Sequence, residues 1–425
     1  MHGKDFPVDR LRSLFPALAT HVDGNQLVFF DGPAGTQVPL SVAQAMSDSL
    51  LYKNANKGGV FHTSRESDAD LQRAWQAMAD FFGTKNPQEI VVGQNMTSLT
   101  YQLSRSLSKT WRQGDEIVLT QLDHDANISP WVQAAEEVGV HVNYVPFNHY
   151  DYGLELEALE GAISQRTRLV AVGCASNATG GVNPVKQIAA MAKQVGALSY
   201  LDAVHFGPHA LIDVEDWGCD FVACSAYKFF GPHLGLLWGR HELLNSLPAY
   251  QVRPAPQTSL GRWMTGTQSH ESIMGTMACI DYIAAIGASV QASQTTRRGQ
   301  LNVAFQAIQA YEQNLSRRLL EGLQSIDGIK VYGVTELSNL HRRFPTFSIT
   351  HDRLPVPQLA KELADRQIQV WSGNYYALQF TEQLGLEPDG MVRIGLVHYN
   401  TAQEIDRLLN EIANIVERAA ISQAH

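Results

Sequence analysis

The chain has 425 residues, 44% hydrophobic and 17% charged, with a formal charge of -10 at pH 7. That length exceeds what one core usually supports, so two domains are the default, and the composition excludes a largely disordered chain. The negative balance, with no long Lys/Arg cluster against it, excludes a nucleic-acid footprint. No apolar stretch approaches the ~18 residues needed to cross a bilayer, and the start, Met1-His2-Gly3-Lys4-Asp5, lacks the apolar core of a signal peptide. The expectation is a cytoplasmic protein with neither a membrane nor a nucleic acid as partner.

In chain order, Gln88 to Val92, Glu116 to Leu119, His141 to Val145, Thr167 to Val172, Leu198 to Leu201, Phe221 to Cys224 and Gly235 to Trp238 are short apolar runs that predict strands. Between them, Thr97 to Trp111 and Pro184 to Val195 carry helical spacing, as in Ile188, Met191, Ala192 and Val195. Such alternation predicts an α/β fold with a mostly parallel sheet between helices. Ligands then gather at the carboxyl ends of the strands. The loop Val252 to Gly261, rich in Pro, Gln and Ser, is the expected mobile surface element.

After Trp263 the texture changes. Thr295 to Gln324 predicts a long bridging helix. Beyond it, the strands Ile329 to Val331, Thr346 to Ile349, Gln369 to Trp371 and Met391 to Gly395 alternate with the helices Val356 to Arg366 and Thr401 to Ala419. The predicted organisation is an N-terminal segment (1–24), a large domain (25–294), and a bridging helix with a small C-terminal α+β domain (295–425). The four cysteines, Cys174, Cys219, Cys224 and Cys279, show no C-x-x-C pair and no His at ligand spacing, so neither a metal site nor a disulfide framework is expected. Cys174 and Cys224 read as small buried hydrophobes.

The chemistry-bearing residues fall at strand ends. Lys228 sits in Ser225-Ala226-Tyr227-Lys228-Phe229-Phe230-Gly231-Pro232, 26 residues past Asp202, which itself ends an apolar run. An amine there, followed by a Gly-Pro turn, can hold an aldehyde cofactor as a Schiff base, and a buried acid can keep a pyridine ring protonated. Asp202 could instead cap a helix, but Ala203 to Gly207 do not start a convincing one. Lys228 could merely snorkel, yet Ser225 and Tyr227 offer hydroxyls suited to a phosphate-bearing cofactor. Gly93-Gln94-Asn95-Met96-Thr97-Ser98-Leu99 opens a helix after a strand, a natural phosphate seat. His124, after Glu116 to Leu119, could stack on a flat ring and relay protons. Asn177 ends the strand Thr167 to Val172 and is either a turn residue or a site residue.

Together these residues resemble the class V aminotransferase family of fold-type I pyridoxal 5'-phosphate (PLP) enzymes, and within it the cysteine desulfurase and selenocysteine lyase group. The resemblance runs from Phe30-Asp31-Gly32-Pro33-Ala34-Gly35 to Val392-Arg393-Ile394-Gly395-Leu396-Val397-His398-Tyr399-Asn400-Thr401. It implies that Lys228 is the Schiff-base lysine, Asp202 the partner of the pyridinium nitrogen, and His124 the ring-stacking residue. His205 takes the place of a usual Gln beside the cofactor's phenolic oxygen, with Asn177 near that oxygen and the substrate. Asn95, Met96, Ser225 and Tyr227 match phosphate-cradle positions, Tyr227 replacing a usual His. Thr267 would reach the phosphate of a neighbouring subunit, which implies a homodimer with shared active sites. Arg393 would bind the α-carboxylate of an amino-acid substrate, with Ala34 also on the substrate side.

The chain departs from this group at one loop. Where desulfurases carry a nucleophilic Cys, the stretch Trp371-Ser372-Gly373-Asn374-Tyr375-Tyr376-Ala377 places Tyr376, and no cysteine follows Cys279. The implied activity runs through an external aldimine and a Cα carbanion. From there the readings are a desulfurase-like C–S or C–Se lyase working without a protein persulfide, an aminotransferase or epimerase, or a non-catalytic PLP binder. The retained Lys228, Asp202 and Arg393 weigh against the last.

Overall fold

The computed structural model describes residues 6–423; residues 1–5, on which the reading of the N-terminus rests, lie outside the described residues, as do 424–425. All seven strands expected before Trp263 form, as one sheet: β1 (Ile90–Gly93), β2 (Glu116–Thr120), β3 (His141–Val145), β4 (Thr167–Gly173), β5 (Leu198–Asp202), β6 (Phe221–Ser225) and β7 (Gly235–Gly239). Their order across the sheet is β1-β7-β6-β5-β4-β2-β3. The pairs β2·β3, β2·β4, β4·β5 and β5·β6 are parallel, and β7 runs antiparallel to both β6 and β1. Strands covered on both faces need apolar side chains pointing both ways, which is why β2, β4, β5 and β6 are largely apolar runs, whereas the edge strand β3 is half exposed. In β6, Val222 and Cys224 enter one core cluster while Phe221 and Ala223 enter the cluster on the opposite face.

This register brings the ends of the strands to one edge. Gly173 pairs with Asp202 across β4 and β5, and Gly235 pairs with both Ser225 and Gly93. Gly235 has no room for a side chain, since a Cβ would lie 2.3 Å from the carbonyl carbon of Asn95. The helix Met96–Ser108 therefore begins directly over the first residue of β7, with Asn95 as its cap.

The second sheet is antiparallel, with β8 (Ile329–Tyr332), β9 (Thr346–His351), β10 (Trp371–Gly373) and β11 (Met391–Gly395) in the order β8-β9-β11-β10. It is backed by the bridging helix Arg297–Gln324 and by Val356–Ala364 and Ala402–Gln423, through Leu319, Leu363, Leu408 and Ile412 among others. The strand expected over Gln369 to Trp371 divides. Ile368–Gln369 pairs in parallel with Val28–Phe29, whereas Trp371–Gly373 pairs with β11, because the two halves face different neighbours. Val28 and Phe30 thereby enter the C-terminal core.

Two further expectations are corrected. The helix His270–Val290 does reach the length and apolarity of a membrane span, with a mean hydropathy of 1.6 over an 18-residue window, of which 61% is buried inside the protein. Ile273, Ile280, Ile283 and Ile286 place it in the main core. The loop 252–261 is not wholly irregular, because its end turns into the helix Ser259–Trp263. Thr258 caps that helix, Ser259 Oγ donates to the Gln88 carbonyl at 2.7 Å, and Trp263 is buried. All four cysteines are free and buried, as the apolar reading of Cys174 and Cys224 predicts.

Candidate active site

A cavity of about 1150 Å³ opens at the carboxyl edge of the large sheet and is closed on its far side by β10, β11 and the loop between β10 and the helix Leu378–Gln383. Every residue singled out from the sequence lines it except Thr267, which is exposed on a loop away from this cavity.

Lys228 follows β6 in a single turn, Ala226–Lys228. Its Nζ donates to the carbonyls of Pro33 and, at 3.1 Å, Ala34. Burial pushes the amine down from 10.5 to about 7, aided by Arg393 and opposed by Asp202. A large fraction is thus the neutral nucleophile at neutral pH. Asp202 ends β5 on the neighbouring strand, and burial raises it to about 6 while Lys228 pulls it down. One of its oxygens, Oδ1, accepts from Val204 N at 2.8 Å, so Asp202 does cap a turn; residues 203–210 stay in turns and start no helix.

A second buried acid escaped the sequence reading. Asp123 Oδ1 accepts from Gly173 N at 2.7 Å, a bond that only glycine permits, because a Cβ on residue 173 would lie 2.5 Å from that oxygen. Since Gly173 is the strand partner of Asp202, two carboxyl groups flank the same strand ends. Burial, with Asp202 adding repulsion, raises Asp123 to about 8. The only sequence signal was an acid immediately before His124, in a segment with the texture of a loop.

The proposed phosphate cradle is assembled from three segments. Asn95 Oδ1 accepts from Ser98 N at 2.9 Å at the start of a 13-residue helix, and Met96 N donates to Ser225 Oγ at 2.9 Å. Tyr227 stacks on His233, ring centroids 4.9 Å apart and planes within 15°. His233 also went unremarked in the sequence, where it reads as part of a Gly-Pro turn.

His124 is held neutral by burial, with Lys228 and Arg393 adding to the effect, and its pKa falls to about 3. Its Nδ1 accepts from Ala126 N at 3.0 Å. Arg393, on β11, is fully enclosed. Burial lowers it to about 10, which leaves it charged at neutral pH. Its Nη1 donates to the Asn177 carbonyl at 3.0 Å, and its guanidinium lies 4.2 Å from the Tyr375 ring centre. Asn177 Nδ2 donates to the Tyr375 carbonyl at 2.9 Å, and Asp125 N donates to the Tyr376 carbonyl at 2.7 Å. The loop carrying both tyrosines is thereby pinned to the large sheet. Both adopt positive φ, 54° and 61°, which non-glycine residues do at a cost.

The donor set fits pyridoxal phosphate: a neutral amine for the aldehyde, a buried acid for the ring nitrogen, and a hydroxyl with a helix N-terminus for the phosphate. A buried polar atom on a lining residue, Asn177 Oδ1, lacks a partner, as a group reserved for a ligand or for water would. Fold and site together define a fold-type I PLP-dependent enzyme. The family model for class V aminotransferases matches residues 28–408, and the chain belongs to that family. It is 30% identical to a cysteine desulfurase of Pectobacterium carotovorum over 96% of this chain and 98% of that protein. An aminotransferase-like protein of Gibberella zeae is 32% identical over the same shares. The apo structure of a cysteine desulfurase from Thermococcus onnurineus superposes with a TM-score of 0.85 at 26% identity, covering 98% of this chain and all of that one.

Proposed function

We infer that this chain is a lyase that breaks the Cβ–S or Cβ–Se bond of a cysteine-type amino acid without storing the chalcogen on a protein thiol. The observation that carries this reading is the composition of the cavity. The amine of Lys228, the acid of Asp202 and the guanidinium of Arg393 converge there, while the loop facing them offers Tyr376 and no cysteine lines the wall.

When bound, PLP supplies an electron-withdrawing ring that stabilises charge developing at Cα. The residues do the rest. Arg393 grips the α-carboxylate with its planar fork and so fixes which bond at Cα stands ready to break. Lys228, with a pKa near neutrality, takes the Cα proton. Asp202 would hold the ring nitrogen with its buried carboxyl group, and the neutral His124 would offer a flat face to the ring. The leaving group departs toward the mouth, where Trp371 and Tyr376 are 52% and 70% exposed and water can reach it. In this reading residues 25–294 hold the cofactor, and 295–425 bring Arg393 and Tyr376 to it.

The same reading makes the active unit a homodimer, with Thr267 serving the neighbouring site. Its support is an exposed apolar surface on and after the helix Leu40–Tyr52, formed by Leu50, Leu51, Tyr52, Val60 and Phe61.

One panel tests the reaction. The purified protein is incubated with cysteine, selenocysteine and unsubstituted amino acids, and the products are assayed for sulfide or selenide with pyruvate, for keto acid with pyridoxamine phosphate, and for inverted chirality. Sulfide or selenide with no mass added to the 371–377 peptide is the predicted outcome. Keto acid or inversion assigns the chain to the aminotransferases or epimerases, and a persulfide on the protein rules out the thiol-free route.

A further inference from the structure

Behind the cavity lies a buried polar cluster that the chemistry above does not use. His205 lines the cavity and is packed edge-on against His209, ring centroids 5.5 Å apart. His209 Nδ1 is 2.9 Å from Glu312 Oε2, and both side chains are 2% exposed. Glu312 belongs to the bridging helix Arg297–Gln324, at the opposite side of the cluster. His398, just past β11, completes it: its Nε2 is 2.6 Å from the hydroxyl of Tyr282, its backbone N–H faces Glu312, and it interacts electrostatically with His209.

Three buried atoms in this cluster have no hydrogen-bond partner: His205 Nε2, Glu312 Oε1 and His398 Nδ1. All three belong to residues that interact with His209. A buried polar atom left unpaired is destabilising, and three in residues around one histidine mark a site for ordered water. Aspartate, glutamate or histidine clusters of this kind bind metals at other spacings, but no metal-holding group of three occurs among the described residues.

We propose that His209 and Glu312 are positioning residues for His205, forming with ordered water a relay in which the proton on Glu312 dictates which face of His205, N–H or lone pair, meets the cavity. The logic is that of a one-proton chain. A neutral imidazole has one N–H and one lone pair, so each histidine passes a donor role in at one nitrogen and out at the other. If Glu312 is charged, it accepts from His209 Nδ1. The second nitrogen of His209 is then a lone pair, the bridging water donates to it and accepts from His205 Nε2, and His205 turns a lone pair to the cavity. If Glu312 is protonated, it donates to His209, every bond in the chain reverses, and His205 turns an N–H to the cavity. Passing from the first state to the second takes up one proton, which enters from the cavity at His205 and is handed along the existing hydrogen bonds to Glu312, and no other bond changes.

The groups that bear on this switch are few. Burial dominates at His205, followed by His209, Arg393 and Lys228, and keeps it neutral. Glu312 is raised by burial and lowered by His209 and the His398 backbone, and it also faces Tyr311, whose phenol it helps to push up. Burial keeps His398 neutral as well, with His209 adding to the effect. Because the relay is anchored on the bridging helix, it also gives that helix a chemical line into the cavity. The consequence for catalysis rests on the cavity being the cofactor site, but the relay itself does not.

The test uses the cofactor-free protein, with histidine ring nitrogens labelled and followed by NMR across pH, in the wild type and in Glu312→Gln. Glutamine keeps the shape and cannot titrate. The prediction is that the His205 tautomer changes with pH in the wild type and is fixed in the variant. The same pH response in both proteins overturns the proposal. Should Glu312→Gln misfold, His209→Gln breaks the chain at its centre and must also abolish the response. A crystal structure of the cofactor-free wild type gives an independent reading: a water within hydrogen-bond distance of His205 Nε2 is expected, and a dry gap there refutes the relay.

Discussion

The imidazole of His124 stacks on the phenol of Tyr376, with ring centroids 5.3 Å apart and planes within 24° of each other. The tyrosine therefore leans on the residue that the family resemblance assigns to the cofactor face, and it does so from a loop held at positive φ and pinned through Asp125 N and Asn177 Nδ2.

Removing that ring separates a gating role from a structural one. Tyr376 is mostly exposed, so Tyr376→Ala is predicted to change stability by no more than about 0.5 kcal/mol. A ring at the mouth that also covers the bound amino acid contributes ~0.5–1.5 kcal/mol to its binding, so KM is predicted to rise roughly 2–10-fold. Tyr376→Phe keeps the ring and should stay near wild type. A kinetic profile unchanged in the alanine variant means that the ring does not shape the mouth.

Arg393 is a planar fork inside the wall, and lysine is only a point charge. In Arg393→Lys, KM is predicted to rise about 10–100-fold, the worth of a bidentate charge-assisted pair, while cofactor content stays at the wild-type level. Equal loss of cofactor and substrate binding identifies the arginine as a structural residue.

Asp123 gives a pH signature. In the folded chain its carboxyl is raised from 3.8 to about 8, so between those values the folded state holds a proton that the unfolded state has released. Its contribution to stability is complete below the unfolded pKa and is lost as pH rises through the folded one. Asp123→Asn keeps an acceptor for Gly173 N and removes the titration. Urea unfolding of the cofactor-free proteins should show the variant gaining on wild type from about pH 4 to about pH 8, by more than about 1 kcal/mol. Parallel curves contradict the assignment.

If the apolar surface around the helix Leu40–Tyr52 is a subunit interface, charge placed in it disrupts assembly. The double variant Leu51→Glu with Phe61→Glu is predicted to sediment at half the wild-type mass. A wild type that already sediments as a monomer refutes the dimer.

Much of this was legible in the chain itself, for a physical reason. Strands covered on both faces must be apolar throughout, so β2, β4, β5 and β6 announce themselves, and strand ends are where an α/β sheet carries its chemistry, so Lys228, Asp202 and Asn177 could be picked out. The helix His270–Val290 escaped for the opposite reason: buried on most sides, it lacks the polar stripe that marks a helical period. The division of the strand at Val370 depends on partners more than 300 residues away in sequence for one half. Asp123 and the Glu312–His209 pair were invisible because each is defined by a contact across the fold, and the left-handed turn at Tyr375 and Tyr376 uses residues that do not advertise it.

The central claim is that Lys228 holds the aldehyde cofactor, and the visible spectrum tests it most directly. Purified wild type is predicted to be yellow, and borohydride treatment followed by peptide mass analysis should fix the cofactor's mass on the Lys228 peptide. Lys228→Ala should lose that absorbance. A variant with the spectrum of the wild type, or a reduced cofactor found on another lysine, contradicts the account.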